Sequence, residues 1–259
     1  MRGSSLSLTL TLGVAALLAV SLVAPGADAA RSRAGGTAAK RRPARPRTVF
    51  AADWASAPSA KYGAMTKDAC LTELRAREIG FREEDDQPGV MAPIRFTGPV
   101  RGVTFRTEID AAERKSTPYE IFDCRLALAA TDLAAIVAER GFDEVVLFSA
   151  YRPPSKGWPK GKLATRHPGG LALDVKSVRK SSTPGEERVV DRDWTPKRDA
   201  PPCEVPERAT DAERDLRAIY CAAKDRRIFT SMLSPNYDAD HKNHFHLEIT
   251  PRVKWRIAL

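Results

Sequence analysis

His244-Phe245-His246-Leu247-Glu248-Ile249 alternates polar and apolar side chains without a break. Strict alternation marks a half-buried strand, so Phe245, Leu247 and Ile249 face a core while His244, His246 and Glu248 share the other face. Leu171-Ala172-Leu173-Asp174-Val175 repeats the pattern, with Leu171, Leu173 and Val175 inward and Asp174 opposite. All four histidines fall in two places: His167, seven residues before Asp174, and the group His241, His244 and His246. Two strands that each present such donors on one face can assemble a His/Asp/His zinc site. Three protein ligands would leave a fourth position for water, the catalytic rather than the structural arrangement.

Around these strands the sequence predicts three helices. Thr66 caps one that carries Cys70, Leu71, Leu74 and Ile79 and stops at Gly80. Asp123 caps a second, with Leu126, Ala130, Leu133, Ile136 and Val137 on one stripe and Gly141 at its end. Thr210-Asp211-Ala212-Glu213 is a capping box for the third, which turns Leu216, Ile219, Tyr220 and Ala223 inward. Further strands are expected at Ile94–Phe96 and Val103–Phe105, with Gly98-Pro99 as the turn between them, and at Glu144–Phe148. Residues 176–209 are polar and contain five prolines, which reads as a long loop of functional or disordered type at a cleft wall. The expected fold is α+β, a small antiparallel sheet with helices on one side. Trp158 and Trp194 fall on cleft-side loops, where they could stack on sugar rings or pack locally.

Charge narrows the partners. The 259 residues carry a net +9. Arg31, Arg33, Lys40, Arg41, Arg42, Arg45 and Arg47 stand in a stretch without an acid and supply seven of the nine charges. The rest is nearly neutral, so no nucleic-acid partner is expected, and loose attraction of the basic stretch to an anionic cell-wall or lipid surface is the functional alternative to a solvated linker. Arg2, the uncharged run Leu6–Val23 and Ala27-Asp28-Ala29 form the three parts of a secretory signal, the other reading being an uncleaved anchor. The expected order is a signal peptide over 1–29, a basic linker over 30–60 and one domain over 61–259. The protein would be periplasmic or secreted, a monomer with no stable membrane insertion after cleavage. In an oxidising compartment Cys70, Cys124, Cys203 and Cys221 read as two disulfides with three possible connectivities. Cys70 and Cys124 both lie in first helical turns, and Cys203 leads into the helix that holds Cys221, so Cys70–Cys124 and Cys203–Cys221 are favoured.

The motifs carry a family resemblance. Thr165-Arg166-His167-Pro168-Gly169-Gly170-Leu171-Ala172-Leu173-Asp174 resembles the [ST]-x-H-x-x-G-x-A-x-D motif of the zinc peptidases that group lysostaphin, D-Ala-D-Ala peptidase and sonic hedgehog relatives. H-F-H-L-E matches their H-x-H motif, and Ser149-Ala150-Tyr151-Arg152 is similar to the S-x-Y-R segment of the D-Ala-D-Ala peptidase branch. N-H-F-H-L-E after S-P-N-Y-D-A-D-H, with Cys70, Cys124 and Cys221 in their settings, most resembles the bacterial extensin-like C-terminal domain over roughly residues 66–250. The resemblance implies a hedgehog- or DD-peptidase-like fold and zinc held by His167, Asp174 and His246. It implies that His244 is a catalytic, non-ligating histidine and that Arg152 binds the substrate carboxylate or an oxyanion. It also implies an exported zinc peptidase of cell-wall remodelling, a D-Ala-type carboxypeptidase or endopeptidase acting on peptidoglycan peptides. The alternative is a catalytically inactive, zinc-containing cell-wall-binding module. Tyr151 stands where members often carry Cys, Thr165 where Ser is commoner, and the 176–209 insertion is a further departure. His241 stays open between a site group and a loop histidine, and Glu248 is expected to be a structural partner.

Overall fold

The computed structural model describes residues 54–198 and 200–259. The expected signal peptide and the linker up to residue 53 lie outside the described residues, and helix α1 (Pro58–Ala64) begins within the last part of the expected linker. Thr66 Oγ1 accepts from the Ala69 N–H and starts α2 (Lys67–Ala76). That helix ends before the expected Gly80. Glu78 takes a left-handed φ of 56°, the Ile79 N–H reaches the Leu74 carbonyl and the Glu78 N–H reaches that of Arg75. This pair of bonds is a Schellman closure, here built without the glycine that would mark it in a sequence. A short α3 (Ala111–Arg114) follows, then α4 (Cys124–Glu139), capped by Asp123 and closed through Gly141 at φ 79°. After the short α5 (Val190–Asp193) comes α6 (Asp211–Asp225). Only half of its expected capping box forms: Thr210 Oγ1 accepts from the Glu213 N–H, but the Glu213 carboxylate turns away to Arg217 and Thr195.

Among the described residues, ten strands build two sheets. β1 (Phe81–Glu83), β2 (Pro93–Phe96) and β4 (Phe122–Asp123) form a three-stranded antiparallel sheet. The larger sheet holds β3 (Thr104–Thr107), β5 (Glu144–Ser149), β6 (Ala172–Arg179), β7 (Glu187–Val189), β8 (Ser231–Leu233), β9 (Phe245–Glu248) and β10 (Ile257–Ala258). Its order is β10-β8-β9-β6-β5-β3, with β7 beside β6. The α+β class is as expected, but the sheet that carries the His and Asp strands is not small and antiparallel. The main sheet has seven strands and is mixed, because β3 runs parallel to β5 and β10 parallel to β8. Nor do β2 and β3 pair across Gly98-Pro99. They enter different sheets, and the tight turn is Arg101-Gly102, flanked by the reciprocal hydrogen bonds of Val100 and Val103.

One face of the large sheet is apolar and carries the helices. Leu133 and Val137 of α4 and Leu216, Ile219 and Tyr220 of α6 line one interior space with Val145, Val175, Phe245 and Leu247. The expected loop over 176–209 is largely ordered: β6 runs on to Arg179, β7 pairs back on it, and α5 follows. Trp194 turns into the core on the helix side, against Tyr220 and Phe245, with Nε1 donating to Asn236 Oδ1. Because its large aromatic is used in the core, this part of the segment is no cleft wall, and Trp194 is not available to a sugar. Both favoured disulfides are present: Cys70–Cys124 joins α2 to α4, and Cys203–Cys221 ties the preceding loop to α6. Among the described residues no helix is long and apolar enough to cross a membrane.

Candidate metal centre

The other face of the sheet is polar where β6 meets β9. Leu173 pairs with Leu247 and Asp174 with His246, so the alternation of both strands sends the apolar pair to the core and the polar pair to the same side. That side is sealed more tightly than a half-buried strand implies. Asp174 is 4% and His246 7% exposed, on the floor of a cleft rather than on a surface. His167 arrives from the chain leaving β5, on a single 3-10 turn (His167–Gly169) closed by Gly170 at φ 62°. A Cβ on Gly170 would lie 2.8 Å from the Asp123 backbone nitrogen, so glycine is required there both for conformation and for space.

Each imidazole is held by its far side. His167 Nδ1 donates to the Ala150 carbonyl at 2.8 Å, which leaves Nε2 facing Asp174 Oδ1 at 3.1 Å. A carbonyl can only accept, and this fixes the His167 tautomer. His246 turns Nε2 toward Glu248 Oε2 at 3.4 Å and Nδ1 toward Asp174 Oδ1 at 3.0 Å. Glu248 is itself held by Thr250 Oγ1, at 2.7 Å from Oε1, as a structural partner should be. His244 Nε2 lies 3.3 Å from the same Asp174 oxygen, with Nδ1 2.8 Å from Asn243 Oδ1. Arg152, half-exposed, reaches Asp174 Oδ2 at 3.2 Å. The five residues singled out in the sequence, His167, Asp174, His244, His246 and Arg152, are thus brought together.

Burial would raise the Asp174 carboxyl, but the imidazoles of His167, His244 and His246 gathered around it overturn that and hold it far below the usual carboxylate range. Burial wins at His167, whose pKa lies below the ordinary 6.5 despite the pull of Asp174. At His246 burial also lowers the value, yet two carboxylates, Asp174 and Glu248, outweigh it and raise the pKa. A neutral His167 with its proton on Nδ1 points a lone pair at the Asp174 carboxylate. His167, Asp174 and His246 each offer one ligand atom within 4.8 Å of the others, all three residues buried, and two imidazoles with a carboxylate suit zinc. The far-side anchors on Ala150 and Glu248 are the kind of outer partners that orient ligating histidines. The donor chemistry therefore fits the metal expected from the motifs.

His241, left open in the sequence, belongs to this cluster. Its Nδ1 lies 2.7 Å from Asp238 Oδ1, and its ring centroid is 5.4 Å from that of His244 and 5.7 Å from that of His246. His241, His244 and His246 make a second, less buried donor group. The signal was the spacing His241-x-x-His244-x-His246, which places a turn histidine over the start of β9. The cleft above, of about 650 Å³, is also lined by Arg166, Tyr237, Asp238 and Trp255. Tyr237 falls within S-P-N-Y-D-A-D-H, whereas Trp255 brings no motif of its own to the sequence. Trp158 lies elsewhere, in a separate cavity.

Residues 68–258 match the family described as "Extensin-like protein C-terminus". No match to the chain was found among curated proteins or among solved structures.

Proposed function

The chain belongs to the extensin-like C-terminal family, and we propose that it is an exported zinc-dependent peptidase that hydrolyses peptide bonds in peptidoglycan. The observation that carries the reading is the convergence of two anchored imidazoles on a buried carboxylate at the floor of a wide, open cleft. His167 through Nε2, Asp174 through Oδ1 and His246 through Nδ1 would hold zinc. Bound there, zinc supplies a Lewis acid for the scissile carbonyl and lowers the pKa of water to about 7.

The chain's own groups supply the rest. His244 stands at the cleft wall within reach of the reacting position, suited to take a proton and return it to the leaving amine. His241, oriented by Asp238, borders the same space. Arg152 offers a permanent positive fork to a substrate carboxylate. The cleft of about 650 Å³ has the volume to take a short peptide. Kinship with the lysostaphin, D-Ala-D-Ala peptidase and hedgehog group rests on the H-P-G-G-L-A-L-D and H-F-H motifs, and export on the N-terminal pattern together with the two disulfides. His244 and Arg152, standing beside the ligands, favour turnover over a zinc-containing binding module. Digestion of purified peptidoglycan with identification of the released fragments tests the proposal. Fragments cut at a D-Ala bond are expected, whereas tight binding with no cleavage would favour the module.

A further inference from the structure

Between Ala150 and Leu173 the chain carries Arg152, Lys156, Lys160, Lys162 and Arg166 and not one acid. The two arginines line the metal cleft. The segment between them leaves that cleft and forms one wall of a second cavity of about 530 Å³, through Trp158, Lys160, Lys162 and Leu163. The opposite wall is the loop of Asp86, Gln87 and Gly89. Gly89 sits where the walls meet: at φ 87° its carbonyl accepts from the Ala164 N–H, and a Cβ there would lie 2.4 Å from the Pro168 carbonyl oxygen. One loop thus connects the two spaces.

The lysines of this loop are not used by the fold. Lys156, Lys160 and Lys162 are exposed, and among the described residues none of them meets a carboxylate. Lys162 instead holds its ammonium 5.0 Å from the Trp158 ring centroid, and Trp158 Nε1 donates to the Lys162 carbonyl, so ring and charge are fixed together. Leu163 leaves half of its surface in water. An indole beside fixed cations suits a sugar ring that bears a carboxylate. The facing Asp86 and Gln87 supply partners for sugar hydroxyls.

We infer that this loop is a subsite for an acidic glycan strand, with a sugar ring against Trp158 and the strand's carboxylates on Lys160 and Lys162. The inference rests on the peptidase reading only in its biological sense: sugars with free carboxylates would be held on one side of the loop while a peptide attached to another sugar of the strand reaches the metal cleft on the other. The binding itself needs no catalysis.

The test measures affinity by calorimetry on the full chain with chelator present, so that cleavage plays no part. The probes are muramic acid-containing oligomers, uronate oligomers, neutral N-acetylglucosamine oligomers and polyphosphate. The basic stretch at 31–47 attracts every anionic probe but is common to every variant, so the part of any preference that belongs to the loop is read from the change between variants. An acidic oligomer should bind about tenfold or more tighter than the neutral one, and the acidic oligomer that binds better identifies the source. Lys160→Ala with Lys162→Ala should remove most of that preference, and Trp158→Ala should cost about another tenfold. Trp158→Phe keeps an aromatic face and should recover most of the loss, separating stacking from a loop that has lost its shape. Equal binding of neutral and acidic oligomers, a preference for polyphosphate, or unchanged affinity in the lysine or Trp158→Ala variants would overturn the inference. Such a failure leaves the peptidase proposal standing, and a failed digestion leaves the glycan subsite standing.

Discussion

His244 and His246 sit two residues apart with rings turned to one carboxylate oxygen, yet their anchors assign them different work. His246 is buried, and Glu248 on its far side orients the ring as outer partners of metal ligands do. His244 is more exposed, and its Nδ1 meets its neighbour Asn243 rather than a buried carboxylate, with the ring edge-on to Phe148. His246→Ala is therefore expected to lose zinc and, with it, activity and some stability. His244→Ala should keep zinc and fold while turnover falls roughly 10²–10⁴-fold. Zinc content and cleavage measured on the same preparations decide this, and a His244→Ala protein that sheds metal while His246→Ala keeps it would invert the assignment. A pH effect follows from the same ring. His246 must lose a proton before it can bind metal, and Asp174 and Glu248 hold that proton to a pH above the ordinary 6.5. Zinc affinity should weaken as the pH falls through the neutral range, by competition, and an affinity flat from about pH 8 to about pH 6 would contradict it.

At the scale of elements, what was legible was what alternation and caps encode. β6 and β9 were readable because one face of each had to be apolar, and Thr66, Asp123 and Thr210 all cap as their side chains allow. Strand partners were not readable, since nothing in Val103–Phe105 says that it will lie parallel to Glu144–Ser149 across the whole of α4. The 176–209 segment misled through its prolines and charge, because its buried apolar anchors, Val178, Val190 and Trp194, stand isolated among polar residues. The site was legible in His167, Asp174, His244, His246 and Arg152, whereas the part of His241 depends on a turn whose course the spacing alone does not give. Glu213 shows why a local motif can be half right. Its carboxylate is worth more to Arg217, which is 2% exposed, stands 4.1 Å over the Trp194 ring and also donates to the Pro202 and Thr195 carbonyls. Arg217→Ala would leave Glu213 buried and unpaired, and is expected to cost roughly 3–5 kcal/mol of stability. Denaturant unfolding checks this, and a loss well under 1 kcal/mol would mean that water reaches the pair.

For the molecule as a whole, export and chemistry have to agree. Cys70–Cys124 closes 54 residues and Cys203–Cys221 closes 18, so removing each is expected to cost about 4 and about 3 kcal/mol, measured by unfolding after paired Cys→Ser changes. Free thiols at all four positions in the purified protein would count against an oxidising compartment. The charge also divides by region, with a basic stretch outside the described residues, a nearly neutral body and an acid-free loop beside the site. The most direct measurement is release of peptide fragments from purified peptidoglycan by one preparation in three states: as isolated, after chelator, and after zinc is returned. The account predicts near-unit zinc with cleavage, loss of both on chelation, and recovery of both when zinc is restored. Cleavage that survives complete metal removal, or a zinc-replete protein that releases nothing, would contradict it.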